Sequence, residues 1–294
     1  MTEATGTPNG LAWIGGEISA SGLALWLLDG ANTVLDRRTL RLDALSLTDE
    51  GLAALLADLP GVADEGLPTV ICGAGRDLAP TRAVPCAPLG PPQVRGHLHL
   101  LPGLHQASPA DLMRGAETAI AGLIAAQPQF DGVVCLPGPA TVWAQVSAEE
   151  VVSFRSFLTG DLFALLAGSN ALQFHVAPDG WDDPAFDTAL DETLSRPASL
   201  SAALAGLPAE AEITGLSKTE ARARLAGLLI GAELAGAKPW WLGQNVAVLG
   251  DDALIRPYLR ALHAQGVPAH GGDRGAATLA GLCAAKARLT GQTQ

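Results

Sequence analysis

An α/β fold is what this sequence predicts, on three observations. Short runs rich in Leu, Val and Ile alternate with longer stretches of helical period. Glycine (34 residues) and proline (20 residues) fall at the joints between those runs, as tight turns require. Aromatic residues make up only 4% of a composition that is 48% hydrophobic, so the core must be Leu, Val, Ile and Ala, the material of helices packed on sheets. A length of 294 residues suits one large domain or two modest ones.

Taken in order, residues 11–18 and 22–28 are two apolar runs split by a small-residue turn, which reads as a β-hairpin. Residues 33–42 could add a third antiparallel strand. Residues 52–59 have helical spacing, and 68–72 form a buried strand ending in Gly73-Ala-Gly75. Strand, strand, strand, helix, strand is the order of an actin-like nucleotide-binding core. Residues 79–102 are proline-rich and read as loop or irregular strand. A helix is predicted over 111–126, with Ser108 as its N-cap and Pro109 in its first turn. Residues 132–136 form a strand running into Pro137-Gly138, and 142–146 return as the second half of a hairpin. This second round of strand, glycine turn and strand is what an internally duplicated fold shows. Helices are predicted at 148–158, 161–166, 183–195 and 218–235. A strand at 245–249, a helix at 253–265, a short strand near Val267 and a helix at 275–289 complete the pattern.

The net charge of −12, with no basic run, sets the average surface against polyanions, so no nucleic-acid partner is expected. A small anionic substrate remains compatible, because a local pocket can hold arginine against the global sign. Cys72, Cys86, Cys135 and Cys283 are far apart and form no CxxC pair, so neither structural zinc nor a disulfide framework is indicated. The polar start carries no signal-like segment and no apolar stretch reaches about 18 residues, so a cytoplasmic protein without a membrane partner is expected.

Six segments in order carry a resemblance. They are Leu101-Pro-Gly-Leu104; Asp111-Leu-Met-Arg-Gly-Ala-Glu-Thr118; Leu136-Pro-Gly138 with Trp143; Phe157-Leu-Thr-Gly-Asp-Leu-Phe163; Gly227-Leu-Leu-Ile-Gly-Ala-Glu233; and Val248-Leu-Gly-Asp-Asp-Ala-Leu254 with Tyr258. Asp273 and Gly281-Leu282 extend the series. The chain thereby resembles the 2-dehydro-3-deoxygalactonokinase family over nearly its whole length. That resemblance implies a two-lobed actin-like (ribonuclease H-like) α/β fold with a cleft. Residues 1–100 and the C-terminal helix would make one lobe, and 101–294 the second, with the substrate and nucleotide segments. It also implies ATP and Mg²⁺ as cofactors and a small sugar acid as partner, and leaves a homodimer open.

The resemblance departs at the phosphate-binding turns. Where the family has an Asp-Trp-Gly-Thr-Thr type turn, this chain aligns Glu17, Ile18, Ser19, Ala20 and Ser21. Its second loop, Pro137-Gly-Pro-Ala-Thr-Val-Trp143, lacks the family's His and Lys, and Arg114-Gly-Ala-Glu117 is one carboxylate short. Phosphoryl transfer needs charge neutralisation around the phosphates and an acid to position the attacking hydroxyl. Glu17 is the candidate for that acid and for holding Mg²⁺ through water; it could equally be a strand-end acid with no ligand. A positive φ at Ser19, in the place of the family's glycine, would be strained. Asp161 is a second catalytic candidate, or a charge on a helix dipole. Arg114 suits a substrate carboxylate, because its planar fork binds one bidentately, and on the predicted helix it shares a face with Glu117. The alternative is a surface ion pair. Gly138 and Thr141 in the second turn, and Gly250 and Asp251 after the strand at 245–249, are the nucleotide candidates, with helix capping the other role open to Asp251 and Asp252. Glu233, in a strongly apolar helix, needs a buried partner.

The function implied is ATP-dependent phosphorylation of 2-dehydro-3-deoxy-D-galactonate at its terminal hydroxyl. Two alternatives are kept: a catalytically impaired homologue that binds a sugar acid or a protein partner, and a kinase for a related keto-deoxy acid.

Overall fold

The computed structural model describes residues 9–19, 22–41, 51–52, 66–289 and 291. The chain divides into two compact units. The first comprises Met1–Asp131, Val146–Ser153 and Arg274–Gln294; the second comprises Gly132–Gln145 and Phe154–Asp273. The boundary expected near residue 100 therefore moves to about 131, because residues 101–131 build strands and a helix that pack within the first unit.

In the first unit, β1 (Trp13–Ser19), β2 (Gly22–Leu28) and β3 (Val34–Leu40) form an antiparallel meander. Strand β4 (Thr69–Cys72) adds parallel to β1, and β7 (Leu98–Leu100) parallel to β4, with β6 (Gln93–Arg95) antiparallel at the edge. The sheet order is β3-β2-β1-β4-β7-β6. A smaller sheet, β5-β8-β9, joins β5 (Arg82–Ala83), β8 (Leu104–Ala107) and β9 (Ala110–Met113). Period-2 alternation sorts β1 onto two faces. Ile14 and Ile18 pack with Leu23, Leu25 and Ile71. Trp13 packs with Val70, Cys72 and Leu282 on the opposite face, where helices α1 (Ala116–Ala126) and α8 (Arg274–Leu289) lie.

Those two helices touch backbone to backbone. A Cβ on Gly281 would collide with the Thr118 carbonyl, and one on Gly122 with the Ala277 carbonyl. Gly281→Ala should therefore force the pair apart. The expected loss is about 3 kcal/mol, at the upper end of the range for overpacking, and urea unfolding measures it. An unchanged midpoint would show that the helices can slide without cost.

The second unit holds most of a second sheet, of order β12-β11-β10-β13-β14, with residues 146–153 of β11, β12 and their turn counted in the first unit. Its strands are β10 (Gly132–Leu136), β11 (Thr141–Ser147), β12 (Glu150–Phe157), β13 (Val246–Leu249) and β14 (His270–Gly272). Strand β13 runs parallel to β10 and β14 parallel to β13. Helices α2 (Thr159–Ala167), α3 (Asp183–Ser195), α4 (Leu200–Ile213), α5 (Lys218–Gly236), α6 (Lys238–Trp241) and α7 (Asp252–Ala264) complete it. Gly227 and Gly231 let α5 press onto α3, since a Cβ on either would collide with the Phe186 or Leu190 carbonyl. Helix α5 starts on a capping box in which Ser217 and Glu220 bond reciprocally to each other's backbone N–H.

Two predicted elements change and one helix is added. Residues 104–113 form the hairpin β8–β9, and the helix begins only at Ala116. Residues 150–157 are strand β12, because Ala148 (φ 51°) and Glu149 (φ 62°) make a left-handed turn that sends the chain back. Helix α4, with Pro208 inside it, was not expected. Of the helix expected at 52–59, Leu52 is helical and buried, and 53–59 lie outside the described residues. No helix among the described residues is long and apolar enough to cross a membrane.

Candidate functional site

Glu17 falls on the helix-covered face of β1, at the end where both α1 and α8 begin. Helix N-termini carry partial positive charge, so this is where buried carboxylates are least costly. Arg274, the first residue of α8, donates from Nη2 to Glu17 Oε1 at 3.1 Å. Glu117, in the first turn of α1, is fully buried. Its Oε1 accepts from the Gly115 N–H at 2.9 Å, while Oε2 has no hydrogen-bond partner among the described residues. Burial pushes the Glu117 carboxyl up to about 7; hydrogen bonds from its own backbone, Gly115 and Thr118 oppose that rise, and Glu17's charge adds to it. The neighbouring Cys72 thiol is raised well above its ordinary value, first by burial and then by the two carboxylates. Gly115 takes φ 89°, and a Cβ there would stand 3.2 Å from Glu17 Oε1.

Arg114 and Glu117 do not share a helix face, because Arg114 precedes the helix. The Arg114 Nη1 donates to the Ala74 carbonyl at 2.8 Å and to the Ala79 carbonyl at 3.0 Å. It thereby pins the loop that follows Gly73, and burial lowers its pKa. Ser19 ends β1, opposite Gly22, and among the described non-glycine residues only Asn32, Ala148 and Glu149 have positive φ. The strain anticipated at Ser19 is absent, since its φ is not positive; across the turn Gly22 has φ 132°. Ala20 and Ser21 lie outside the described residues.

The second unit holds a cavity of about 330 Å³. The turn Pro137-Gly138-Pro139 and the start of α2, Thr159-Gly160-Asp161, form part of its wall, and α5 and α7 contribute Leu229, Leu254 and Tyr258. Asp161 is exposed there, its N–H bonded to the Pro139 carbonyl at 2.8 Å. Thr141 does not reach the cavity: it is fully buried and shares a 2.8 Å hydrogen bond with the Tyr258 hydroxyl. Gly250 closes β13, its N–H bonded to the Gly272 carbonyl at 3.0 Å. Asp251 is the exposed N-cap of α7 and makes no side-chain capping bond. Neither Gly250 nor Asp251 lines the cavity.

Beneath the cavity, Glu233 collects the buried polar groups. Trp143 Nε1 donates to its Oε1 at 2.8 Å and the Tyr258 hydroxyl to its Oε2 at 2.9 Å. Burial raises its pKa, against hydrogen bonds from Thr159, Trp143, Tyr258 and Thr141. Among the described residues no group of three His, Cys, Asp or Glu side chains could hold a metal.

The sequence profile of the 2-keto-3-deoxy-galactonokinase family matches residues 19–285. The chain belongs to this family. A Rhizobium meliloti (strain 1021) protein described as a 2-dehydro-3-deoxygalactonokinase is 34% identical over 200 residues, 66% of this chain and 65% of the relative. The chain thus aligns with just under two thirds of that relative's length. The Escherichia coli (strain K12) 2-dehydro-3-deoxygalactonokinase is 28% identical over 270 residues, 86% of this chain and 91% of the relative. A crystal structure from Sinorhizobium meliloti, described as a 2-dehydro-3-deoxygalactonokinase, superposes with a TM-score of 0.82 at 30% identity, covering 94% of this chain and 99% of that one. The fold is accordingly the α/β arrangement of the actin-like kinases.

In this member of the 2-keto-3-deoxy-galactonokinase family, one segment of the resemblance has a structural explanation. The glycines of Gly227-Leu-Leu-Ile-Gly-Ala-Glu233 seat α5 on α3, and its glutamate anchors the cavity floor. Arg274 is the functional candidate that sequence reading missed. Its partner Glu17 lies 257 positions away, and no local pattern announces such a pair.

Proposed function

We propose that this chain transfers the terminal phosphoryl group of ATP to the terminal hydroxyl of 2-dehydro-3-deoxy-D-galactonate. The family match across residues 19–285 carries the reading. The cavity beside Gly138 supports it: its largely apolar wall suits a purine, and the glycine turn lets backbone approach phosphate without a Cβ in the way. Asp161, Gly250 and Asp251 would border the phosphates. Glu17 and Glu117 are the acids that would position the attacking hydroxyl, and Glu117, poised near neutral pH, is the better suited to take its proton. Arg114 would meet the substrate carboxylate. Thr141 has a structural part here, holding Tyr258.

Mg²⁺ accompanies ATP in this chemistry and neutralises the phosphates. Glu17 does not fit as its ligand, because the Arg274 guanidinium already sits 3.1 Å from Oε1, where a cation would stand. We therefore assign that carboxylate a positioning role.

A coupled ADP-release assay with the purified protein tests the reading. Turnover is expected with 2-dehydro-3-deoxy-galactonate and ATP; absence of turnover with any keto-deoxy acid would overturn it and leave the impaired homologue. The cavity is tested separately. Leu254→Trp places a bulky ring at its half-exposed wall, and should raise the KM for ATP about tenfold while leaving thermal stability unchanged. An unaltered KM would move the nucleotide elsewhere.

A further inference from the structure

A hollow of about 560 Å³ in the first unit is lined by Arg76, Pro80, Thr81, His105, Leu112 and Arg114. Two arginines and a histidine converge there in a protein whose net charge is −12, so the local sign opposes the global one. The Arg114 head is preorganised: its Nη1 is held by the Ala74 and Ala79 carbonyls. Among the described residues its Nε and Nη2 take no hydrogen bond, which leaves one planar edge of the guanidinium for a ligand. Thr81 Oγ1 and His105 Nδ1 are 2.9 Å apart and share a hydrogen bond, fixing the imidazole and leaving its other nitrogen available. Arg76 is exposed at the rim.

We propose that this hollow is a carboxylate subsite in which Arg114 supplies the bidentate contact and Arg76 and His105 close on the same carboxylate. It deepens the proposed function and rests on its substrate being a sugar acid. The placement suits a molecule with an acid at one end and a reacting hydroxyl at the other. Gly115, the residue after Arg114, lies against Glu17, so the anion-binding and proton-handling groups stand on either side of one glycine. A fixed guanidinium gives more affinity per contact than a mobile one, because less rotamer freedom is lost on binding.

Isothermal titration of the nucleotide-free protein tests this with two probes. One is the six-carbon 2-keto-3-deoxy acid; the other is its analogue with a primary alcohol in place of the carboxylate. Wild type should prefer the acid at least tenfold, consistent with a charge-assisted pair. Arg76→Ala and His105→Gln, both away from the core, should each weaken the acid about tenfold and leave the alcohol unaffected. Equal affinity for both probes in wild type, or full discrimination in both variants, would overturn the subsite. So would displacement of the acid by an equal concentration of inorganic phosphate, which marks a general anion trap. ADP release is measured alongside. Binding as expected without turnover overturns the kinase reading and keeps the subsite; turnover with unaltered discrimination does the reverse.

Discussion

Replacing Glu117 by Gln should stabilise the protein at pH 8 by about 3 kcal/mol and remove most of the proposed phosphoryl-transfer activity. The carboxyl titrates near 7 in the native state, against 4.5 ordinarily. Between those values the native protein holds a proton that the unfolded chain has lost, so stability falls as pH rises through this window. Above 7 the charged carboxylate remains buried with Oε2 unpartnered, and the full cost persists. A rise of this size corresponds to about 3 kcal/mol at about 1.4 kcal/mol per pH unit. Glutamine has no charge to desolvate and can still accept from the Gly115 N–H. Urea unfolding at pH 5, 6, 7 and 8 measures the effect. The difference between variant and wild type should open from about a quarter of its full value at pH 5 to its full value at pH 8. Parallel curves would show that Glu117 is not held near neutrality. Activity should fall about 100-fold, the lower range for loss of a positioned acid or base. A gain in stability paired with a loss of turnover is the signature of a group retained for function.

Glu233→Ala should be the most destabilising single change in the second unit, by about 4 kcal/mol. Trp143 and Tyr258 both donate to this carboxylate from buried positions. Each donor left unpaired costs about 1–3 kcal/mol, and the vacated volume adds to that. Removing a desolvated charge offsets part of the loss, but a bonded carboxylate is replaced here by nothing polar at all. The melting temperature should drop about 10 °C, and the KM for ATP should rise because Tyr258 borders the cavity. Glu233→Gln keeps one acceptor and should lose less than half as much. A melting temperature within about 2 °C of wild type for the alanine variant would mean that water replaces the side chain at little cost.

The parts of the fold that could be read from sequence share one property: their signal is local. Strand 132–136 and helix 183–195 sit where their patterns place them, bounded by glycine, proline and an aspartate N-cap. The segment 150–157 alternates Val, Ser, Phe and Arg, which suits a strand, yet the left-handed Ala148-Glu149 turn that makes it one uses residues with no preference for that backbone. At 110–113 the apolar Leu112 and Met113 continue in phase into the Ala-rich helix, which hides the turn at Gly115. Glu17, Glu117, Gly138 and Asp161 are candidates because they fall in or align with short segments of the family resemblance, which are themselves local patterns. Arg274, and the burial of Thr141 against Tyr258, were not legible, since both depend on contacts more than 100 positions apart.

The route of the chain has a consequence for how the protein is made. The first unit is assembled from three separate stretches, the last being Arg274–Gln294. Helix α8 in that stretch supplies Leu282 and Ala285 to the face that buries Trp13 and Val70. During synthesis, at about 5–20 residues per second, the ribosome therefore releases the opening sheet many seconds before α8, the second of the two helices that cover it. Until residues 274–289 have emerged, the part of that face covered by α8 stays open and the Glu17 carboxylate lacks its arginine. A nascent chain stalled before residue 274 should depend on holdase chaperones, and a stop codon anywhere upstream should yield no folded first unit.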